Sequence, residues 1–267
     1  MPVLTDQEFA RFQRFIYEAA GITLSDEKKV MVGSRLAMRL QKCEVSNYGD
    51  YFRLLASGQQ PEEVQTAVDL LTTNETYFFR EPNHFEFLKN QLRELVRYAE
   101  PVRVWSAAGS TGEEAYSIAM VLEDCLQGRP WEVIASDISA RVLERARRGH
   151  YPMERARNVP RSYLQKYCLQ GKGAQADTLL VERTLRDRVQ FRQVNLNTPL
   201  PSLGPFDFVF LRNVLIYFNI ETKRQVVRRV LSTLRPGGWL LISHTESLHD
   251  VTDSVQQIAP SIFRVRS

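Results

Sequence analysis

From Val102 onwards the chain alternates short apolar runs with longer amphipathic ones, and that alternation leaves few folds open. VRVW (102–105) reads as a strand, AAGSTGEEAYSIAMVLED (107–124) as a loop entering a helix, and WEVIASD (131–137) as a second strand. SARVLERARRG (139–149) is a helix that Gly149 stops. After an intervening stretch come FDFVFLRN (206–213) as a strand, NIETKRQVVRRVLSTLRPGG (219–238) as a helix, and the strands WLLISH (239–244) and SIFRVR (261–266). Strands that alternate with helices imply an α/β domain, its sheet mostly parallel and covered on both faces by helices. No comparable helix separates the last two strands, so they are expected to pair antiparallel at one end of the sheet.

The first ninety or so residues read as helical instead. Thr5 to Glu8 has capping-box spacing, and Phe9, Phe12, Ile16 and Ala19 follow at helical intervals. A second helix is expected from Asp26 to Cys43, with Lys28, Arg35, Arg39 and Lys42 on one face and Leu36, Ala37 and Leu40 on another. That basic face is either a solvated surface or a docking surface for an acidic helix, and the pattern alone leaves both open. Between the two regions lies TTNETYFFREPNHF (72–85), too polar for a core strand and too aromatic for a plain linker.

With 43% hydrophobic residues among 267, the chain can bury a real core. No apolar run approaches the ~20 residues of a membrane span, and the N-terminus carries no signal-peptide pattern, so no membrane insertion is expected. Cys43, Cys125 and Cys168 lie far apart without CxxC spacing. That argues against disulfides and a zinc site, and fits a reducing cytoplasm. His84, His150, His244 and His249 fall in unrelated segments with no partner evident, so no metal site is expected. The net charge of +4 leans weakly towards an acidic partner.

In such sheets a ligand sits beyond the carboxyl ends of the strands, where the first strand turns into its helix. Here that turn is Ala107-Ala108-Gly109-Ser110-Thr111-Gly112-Glu113-Glu114. Its glycines allow backbone to approach a ligand, and Ser110 with Glu113, or Thr111 with Glu114, has the spacing to cap the helix. Two nucleotide readings fail on residue type. A P-loop would end in Gly-Lys-Ser/Thr, and a dinucleotide site would show GxGxxG with a phosphate on the helix N-terminus, where this loop places two acids. Asp137, ending the second strand, has the chemistry to accept two hydrogen bonds from a ribose diol, or it serves only to cap the next helix. A glycine loop and a strand-end acid without phosphate apparatus point to S-adenosylmethionine.

TTNETYFFRE (72–81), VWSAAGSTGEEAYSIAM (104–120), ASDIS (135–139), FDFVFLRNVLIYF (206–218) and RPGGWLLISHTESL (235–248) occur in that order, and together they resemble the CheR-type chemotaxis receptor methyltransferases. The resemblance implies a Rossmann-like S-adenosylmethionine-dependent methyltransferase domain preceded by a small all-helical domain. Residues 1–71 would be the helical substrate-docking domain, 72–90 a linker contributing to the cofactor pocket, and 91–267 the catalytic domain. By the same resemblance Asn74, Thr76 and Arg80 face the cofactor from the linker, and Gly109 belongs to its binding loop. Glu114 and Asp137 hold its amino-acid and ribose portions. Asn195 and Leu196 flank the adenine, and Arg212, Asn213 and Tyr217 complete the site. The reaction implied is methyl transfer to glutamate side chains of chemoreceptors, leaving methyl esters and S-adenosylhomocysteine. A glutamate carboxylate is ionised at neutral pH, so no general base is needed. Arg80 would then orient the incoming carboxylate and Tyr217 would sit near the reacting centre.

The partners implied are the acidic methylation helices of chemoreceptors, seated against Lys28, Arg35, Arg39 and Lys42, with the enzyme a cytoplasmic monomer. GKGAQADTLLVERTLRDRVQFRQVN (171–195) carries two strand-like runs and is expected as a small antiparallel β insert over about 168–194. Its GKG loop resembles family members that tether a receptor C-terminal peptide by strand addition. Two other classes remain in view. A nucleic-acid methyltransferase would suit the charge, but LRNVLIYF (211–218) lacks the Asn/Asp-Pro-Pro-aromatic motif, and no zinc knuckle or aromatic-basic strand face is present, so no nucleic acid is expected. A non-catalytic S-adenosylmethionine-binding adaptor would require a degenerate site, and none is evident.

Overall fold

The computed structural model describes residues 2–95 and 100–266. Helices α1 (Asp6–Ala20), α2 (Lys29–Lys42), α3 (Tyr48–Ala56) and α4 (Pro61–Leu71) enclose an apolar centre that includes Phe12, Ile16, Leu36 and Tyr51. Local signals start or stop α1 and α4. The Glu8 amide donates to Thr5 Oγ1 (3.2 Å) and the Thr5 amide to Glu8 Oε2 (2.9 Å), so the expected capping box closes α1 at its start. Gly21, at φ 73°, ends it in a left-handed conformation. Pro61 opens α4, where its missing amide costs nothing.

Helix α5 (Pro82–Leu95) leads towards the large sheet. Its strands are β1 (Val102–Ser106), β2 (Trp131–Asp137), β6 (Val189–Gln193), β7 (Phe206–Phe210), β8 (Leu234–Leu241), β9 (Val255–Ala259) and β10 (Ile262–Val265). They lie in the order β6-β2-β1-β7-β8-β10-β9. The first five are parallel to one another, and β10 pairs antiparallel with both β8 and β9. Helices α6 (Glu113–Leu126), α7 (Ala140–Arg148) and α10 (Ile220–Leu231) connect these strands, as the alternation predicts. One core cluster lies on each side of the sheet; the cluster around Trp105 and Val209 runs on into the N-terminal domain. The strand order reverses at β1, between β2 and β7, so their carboxyl ends frame the crevice where such sheets bind ligands.

The β insert differs from expectation. Strands β3 (His150–Pro152), β4 (Cys168–Gln170) and β5 (Thr178–Val181) form a separate antiparallel sheet in the order β3-β5-β4, with helices α8 (Arg161–Tyr167) and α9 (Arg183–Arg186) flanking it. The second strand-like run, VQFRQ, is β6 and pairs parallel with β2 on the large sheet. Alternation marks a half-buried strand without saying which sheet it joins. Here Phe191 packs against Tyr116 of α6, with ring centroids 5.6 Å apart, and that contact belongs to the large domain. Strand β9 is too polar to signal itself in sequence, and it forms because β10 offers an edge. No helix among the described residues is long and apolar enough to cross a membrane.

Candidate functional site

The main pocket lies at the carboxyl ends of β1, β2 and β7, walled by the 72–80 linker and the end of α1. Gly112, at φ 96°, makes the turn into α6; a Cβ there would meet Ala146 Cβ at 2.8 Å. The helix has no side-chain cap, since Thr111 donates to the Glu113 carboxylate (2.6 Å) and Ser110 Oγ donates to the Asn74 carbonyl (2.9 Å). The capping expected from Ser110 or Thr111 is therefore not formed. Ser110 instead ties the loop to the linker.

The 72–85 stretch is held from both sides. Phe78 lies edge-on to Tyr151 at 5.0 Å, and Phe79 packs against Phe85 at 4.9 Å. The Phe79 amide donates to Ser117 Oγ (3.0 Å), and the Thr76 carbonyl accepts from the Arg155 guanidinium. With the aromatics buried beneath, the polar edge at Asn74, Thr76 and Arg80 lines the pocket. Phe79, Glu81, Ser110 and Asn213 all have left-handed backbones (φ 54°, 58°, 48° and 58°). Each costs on the order of 1 kcal/mol for a residue with a Cβ, so the surrounding contacts must enforce them.

Two carboxylates dominate the electrostatics. Asp137 Oδ2 accepts the Ser110 amide (3.0 Å) and Oδ1 the Ser139 amide (2.9 Å). Burial nevertheless pushes its carboxyl up to about 6, against the lowering effect of those amides. The helix cap is Ser139, whose side chain accepts the Val142 amide, so Asp137 is not needed for that role. Glu114 accepts from Ser106 Oγ and from Arg212 Nη1, both at 2.7 Å. Burial raises its carboxyl too, while Arg212 opposes the rise. Arg212 also lies 3.2 Å from Glu81 Oε2, so one buried guanidinium bridges two carboxylates. At Glu81 burial is outweighed by Arg212, Ser243 and the neighbouring histidines, which together hold its carboxyl below the usual range.

Of the residues expected to contact the cofactor, Asn74, Thr76, Arg80, Glu114, Asp137, Asn195, Leu196, Arg212, Asn213 and Tyr217 all line this pocket. Gly109 does not. Its missing side chain serves the turn instead, since a Cβ would meet Ser106 Oγ at 2.9 Å. The Asn195 side chain is committed to structure, donating to the Ala19 carbonyl (2.7 Å) and accepting the Asn197 amide (2.9 Å). Arg80 donates to the Glu75 carbonyl (3.0 Å) and lies over the Tyr77 ring, rather than pairing with Glu81 or Glu86.

The basic face of α2 needs correction. Arg35 points back to the linker, donating to the carbonyls of Leu70 (3.2 Å) and Thr72 (2.9 Å). Arg39 forms a two-pronged pair with Glu63, which also accepts the Tyr51 hydroxyl (2.5 Å). Both positions face α4 across the domain, so only Lys28 and Lys42 of the four are exposed. Val30 and Met38 share the solvent side of that helix, at 82% and 58% exposure.

Three features escaped the sequence. Ala20 and Ile22 of the helical domain line the pocket, and Ile22 bridges to Phe218. Glu246 gathers backbone amides behind the pocket. His84 and His244, though in unrelated segments, both hydrogen-bond Ser261 Oγ (2.7 and 2.9 Å) beside Glu81. Glu81, His84 and His244 could in principle hold a metal, since their ligand atoms lie within 4.8 Å of one another. Arg212 already occupies that carboxylate, however, and its charge disfavours a second cation there. Burial, with Arg212 next in weight, pushes His84 down to about 3, so the ring is neutral at ordinary pH. Below the unfolded value of about 6.5 the unfolded chain takes up that proton and the native one does not, so the contribution of His84 to stability falls progressively from pH ~6.5 towards 3. Urea unfolding across that range should show the loss, and His84→Gln should flatten it.

A pocket at the switch point of a mostly parallel sheet, with one carboxylate at the end of β2, another in the first turn of α6, and neither lysine nor a glycine triplet lining it, fits the class of S-adenosylmethionine-dependent methyltransferases. Residues 74–263 match the CheR methyltransferase SAM-binding domain and residues 7–72 the CheR all-alpha domain. The chain belongs to the CheR methyltransferase family. It is 43% identical over 247 residues to a chemotaxis protein methyltransferase of Escherichia coli, covering 91% of this chain and 85% of that one. It is 37% identical to chemotaxis protein methyltransferase 2 of Pseudomonas aeruginosa, covering 97% and 93% respectively. The cofactor is S-adenosylmethionine, and the residues fit it: Asp137 presents an acceptor carboxylate, Glu114 a second acid, and Ile138, Val194 and Leu196 an apolar wall.

Proposed function

We propose that this methyltransferase esterifies glutamate side chains in the cytoplasmic helices of bacterial chemoreceptors. The observation that carries the reading is the rim of the pocket. Arg80, the cation there not buried in an ion pair, lies over the Tyr77 ring and lines the same pocket as Tyr217. The relatives named above are chemotaxis methyltransferases, which supports the same substrate class.

Bound S-adenosylmethionine supplies a methyl group already activated on a sulfonium. The protein's own task is then placement and exclusion of water. Asp137 and Glu114 hold the donor, Arg80 grips the incoming carboxylate through its planar fork, and Tyr217 closes the side of the reacting centre. An ionised glutamate needs no base, and none of the four histidines lines the pocket. Arg80→Ala should lower kcat/KM for the receptor by roughly 10- to 100-fold, the loss of about one charge-assisted contact. S-adenosylhomocysteine affinity should change much less, and isothermal titration beside initial rates separates the two. Full activity in that variant would remove Arg80 from the mechanism.

Docking of an acidic helix falls to Lys28 and Lys42, beside the apolar Val30 and Met38, because Arg35 and Arg39 are held within the domain. The β insert offers a place for a receptor C-terminal peptide. Pro152 gives β3 a poor edge, whereas β4 is an open one with Leu169 half exposed. The enzyme acts as a monomer in the cytoplasm. Its function is tested with methyl-labelled S-adenosylmethionine offered to a receptor cytoplasmic fragment and, separately, to nucleic acid. Label on the fragment alone is expected; label on nucleic acid alone, or on neither despite cofactor binding, would overturn the reading.

A further inference from the structure

Behind the pocket one carboxylate collects four backbone amides. Glu246 Oε1 accepts the amides of Leu215 (2.8 Å) and Ile216 (3.3 Å), and Oε2 those of Ser243 (2.8 Å) and Asn213 (3.1 Å). Three of these amides belong to the loop after β7, which carries Arg212, Asn213 and Tyr217 into the pocket, and the fourth to the loop after β8. Glu246 itself does not line the pocket. Asn213 is held left-handed at φ 58°, a conformation that its own sequence does not favour enough to fix the loop. Its side chain donates to Ser243 Oγ (2.7 Å), which in turn donates to Glu81 Oε1 (2.7 Å) on the linker. Two chain segments that reach the pocket, the linker and the loop after β7, thus meet the loop after β8 at Ser243 and Glu246.

We propose that Glu246 is the positioning residue that shapes the Asn213–Tyr217 loop for methyl transfer. The inference rests on the methyltransferase reading above. Hydrogen bonds to an ionised acceptor are about twice as strong as neutral ones, and four of them on one carboxylate fix both its position and the loop's. Asp137 and Glu114 make no hydrogen bond to Glu246, so their hold on the cofactor should be disturbed less than the placement of Tyr217. Tyr217, at the end of the latched loop, has the most to lose. An error of about 1 Å at a reacting centre costs on the order of 100-fold in rate.

The test uses the full chain with Glu246→Gln and Glu246→Asp. Glutamine keeps one acceptor oxygen and turns an amide group towards two backbone donors; aspartate keeps both oxygens but falls short by a methylene. The glutamine variant should lose roughly 30-fold or more in kcat on a receptor fragment, with S-adenosylhomocysteine affinity within about threefold, and aspartate should recover part of the rate. Hydrogen exchange gives a second readout free of activity. The peptide spanning 211–218 should be protected in the wild type and open in the glutamine variant, with the β1 and β2 peptides unchanged. A rate within threefold of wild type, unchanged exchange over 211–218, or parallel collapse of rate, affinity and melting temperature would each overturn the proposal. If wild type fails to methylate any receptor fragment, the substrate reading has failed instead, and exchange still decides the role of Glu246.

Discussion

Arg212→Leu should destabilise the protein by about 3–5 kcal/mol, the range found when one partner of a buried ion pair is removed. The side chain is 1% exposed and stands between Glu81 and Glu114, whose side chains are 13% and 12% exposed. Its removal leaves two carboxylates in a poorly solvated place with no cation between them. Leucine fills part of the volume, so the loss is electrostatic rather than a cavity effect. Arg212 also donates to the Arg80 carbonyl, so the linker should loosen together with the pocket floor. Adding Glu114→Gln should return part of the stability, because one of the two stranded charges is then gone; Arg212→Lys should return less than a restored guanidinium, since an ammonium lacks the fork that reaches both acids. Urea unfolding of the three variants measures this. A single-variant loss below about 1 kcal/mol would mean that Arg212 is not the counter-ion of this pocket.

Asp137→Ala should weaken S-adenosylhomocysteine binding by about 100- to 1,000-fold, the loss of two hydrogen bonds to a charged acceptor. The pH dependence follows from the carboxyl sitting at about 6. A ribose diol donates to the ionised form, so affinity should be flat above pH 6 and fall by up to about tenfold per unit below it. Stability of the ligand-free protein runs the other way. A folded value above the ordinary 3.8 means that the contribution of this group is fully present below pH 3.8 and is lost as pH rises through 6. On this reading the free protein resists ionising Asp137 while a bound ribose diol would require it, and titration calorimetry beside urea unfolding from pH 5 to 8 separates the two. Affinity independent of pH over that range would remove Asp137 from the ribose site.

Much of this was legible because the relevant signals are local. A strand, a glycine turn and an acid at the next strand's end lie within a few dozen residues, and they place Glu114 and Asp137 at the crevice without any tertiary knowledge. The capping box at Thr5 and the aromatic underside of the 72–85 stretch are local in the same sense. What stayed hidden depends on segments far apart in sequence. His84 meets Ser261 across 177 residues, and nothing in either neighbourhood marks the pairing. Glu246 looks like a surface acid in HTESL until the loop after β7 folds over it. The face of α2 misled for a related reason. Helical spacing gathered Arg35 and Arg39 onto one side correctly, but which side meets α4 is decided by Glu63 and the carbonyls of Leu70 and Thr72. An arginine with partners of that kind can face inward as readily as a leucine. Strand VQFRQ had the right period and the wrong sheet, since register and partner are set by Tyr116 and β2.

The most direct measurement is the chemical nature of the transferred methyl group. A receptor cytoplasmic fragment labelled from S-adenosylmethionine would be treated with mild alkali and the volatile fraction counted. Release of the label as methanol is the predicted result, because a glutamate methyl ester is the only product that an Arg80-oriented carboxylate can give. Label that stays on the fragment through alkali would place the methyl on nitrogen or sulfur, and would contradict the account of the pocket given above.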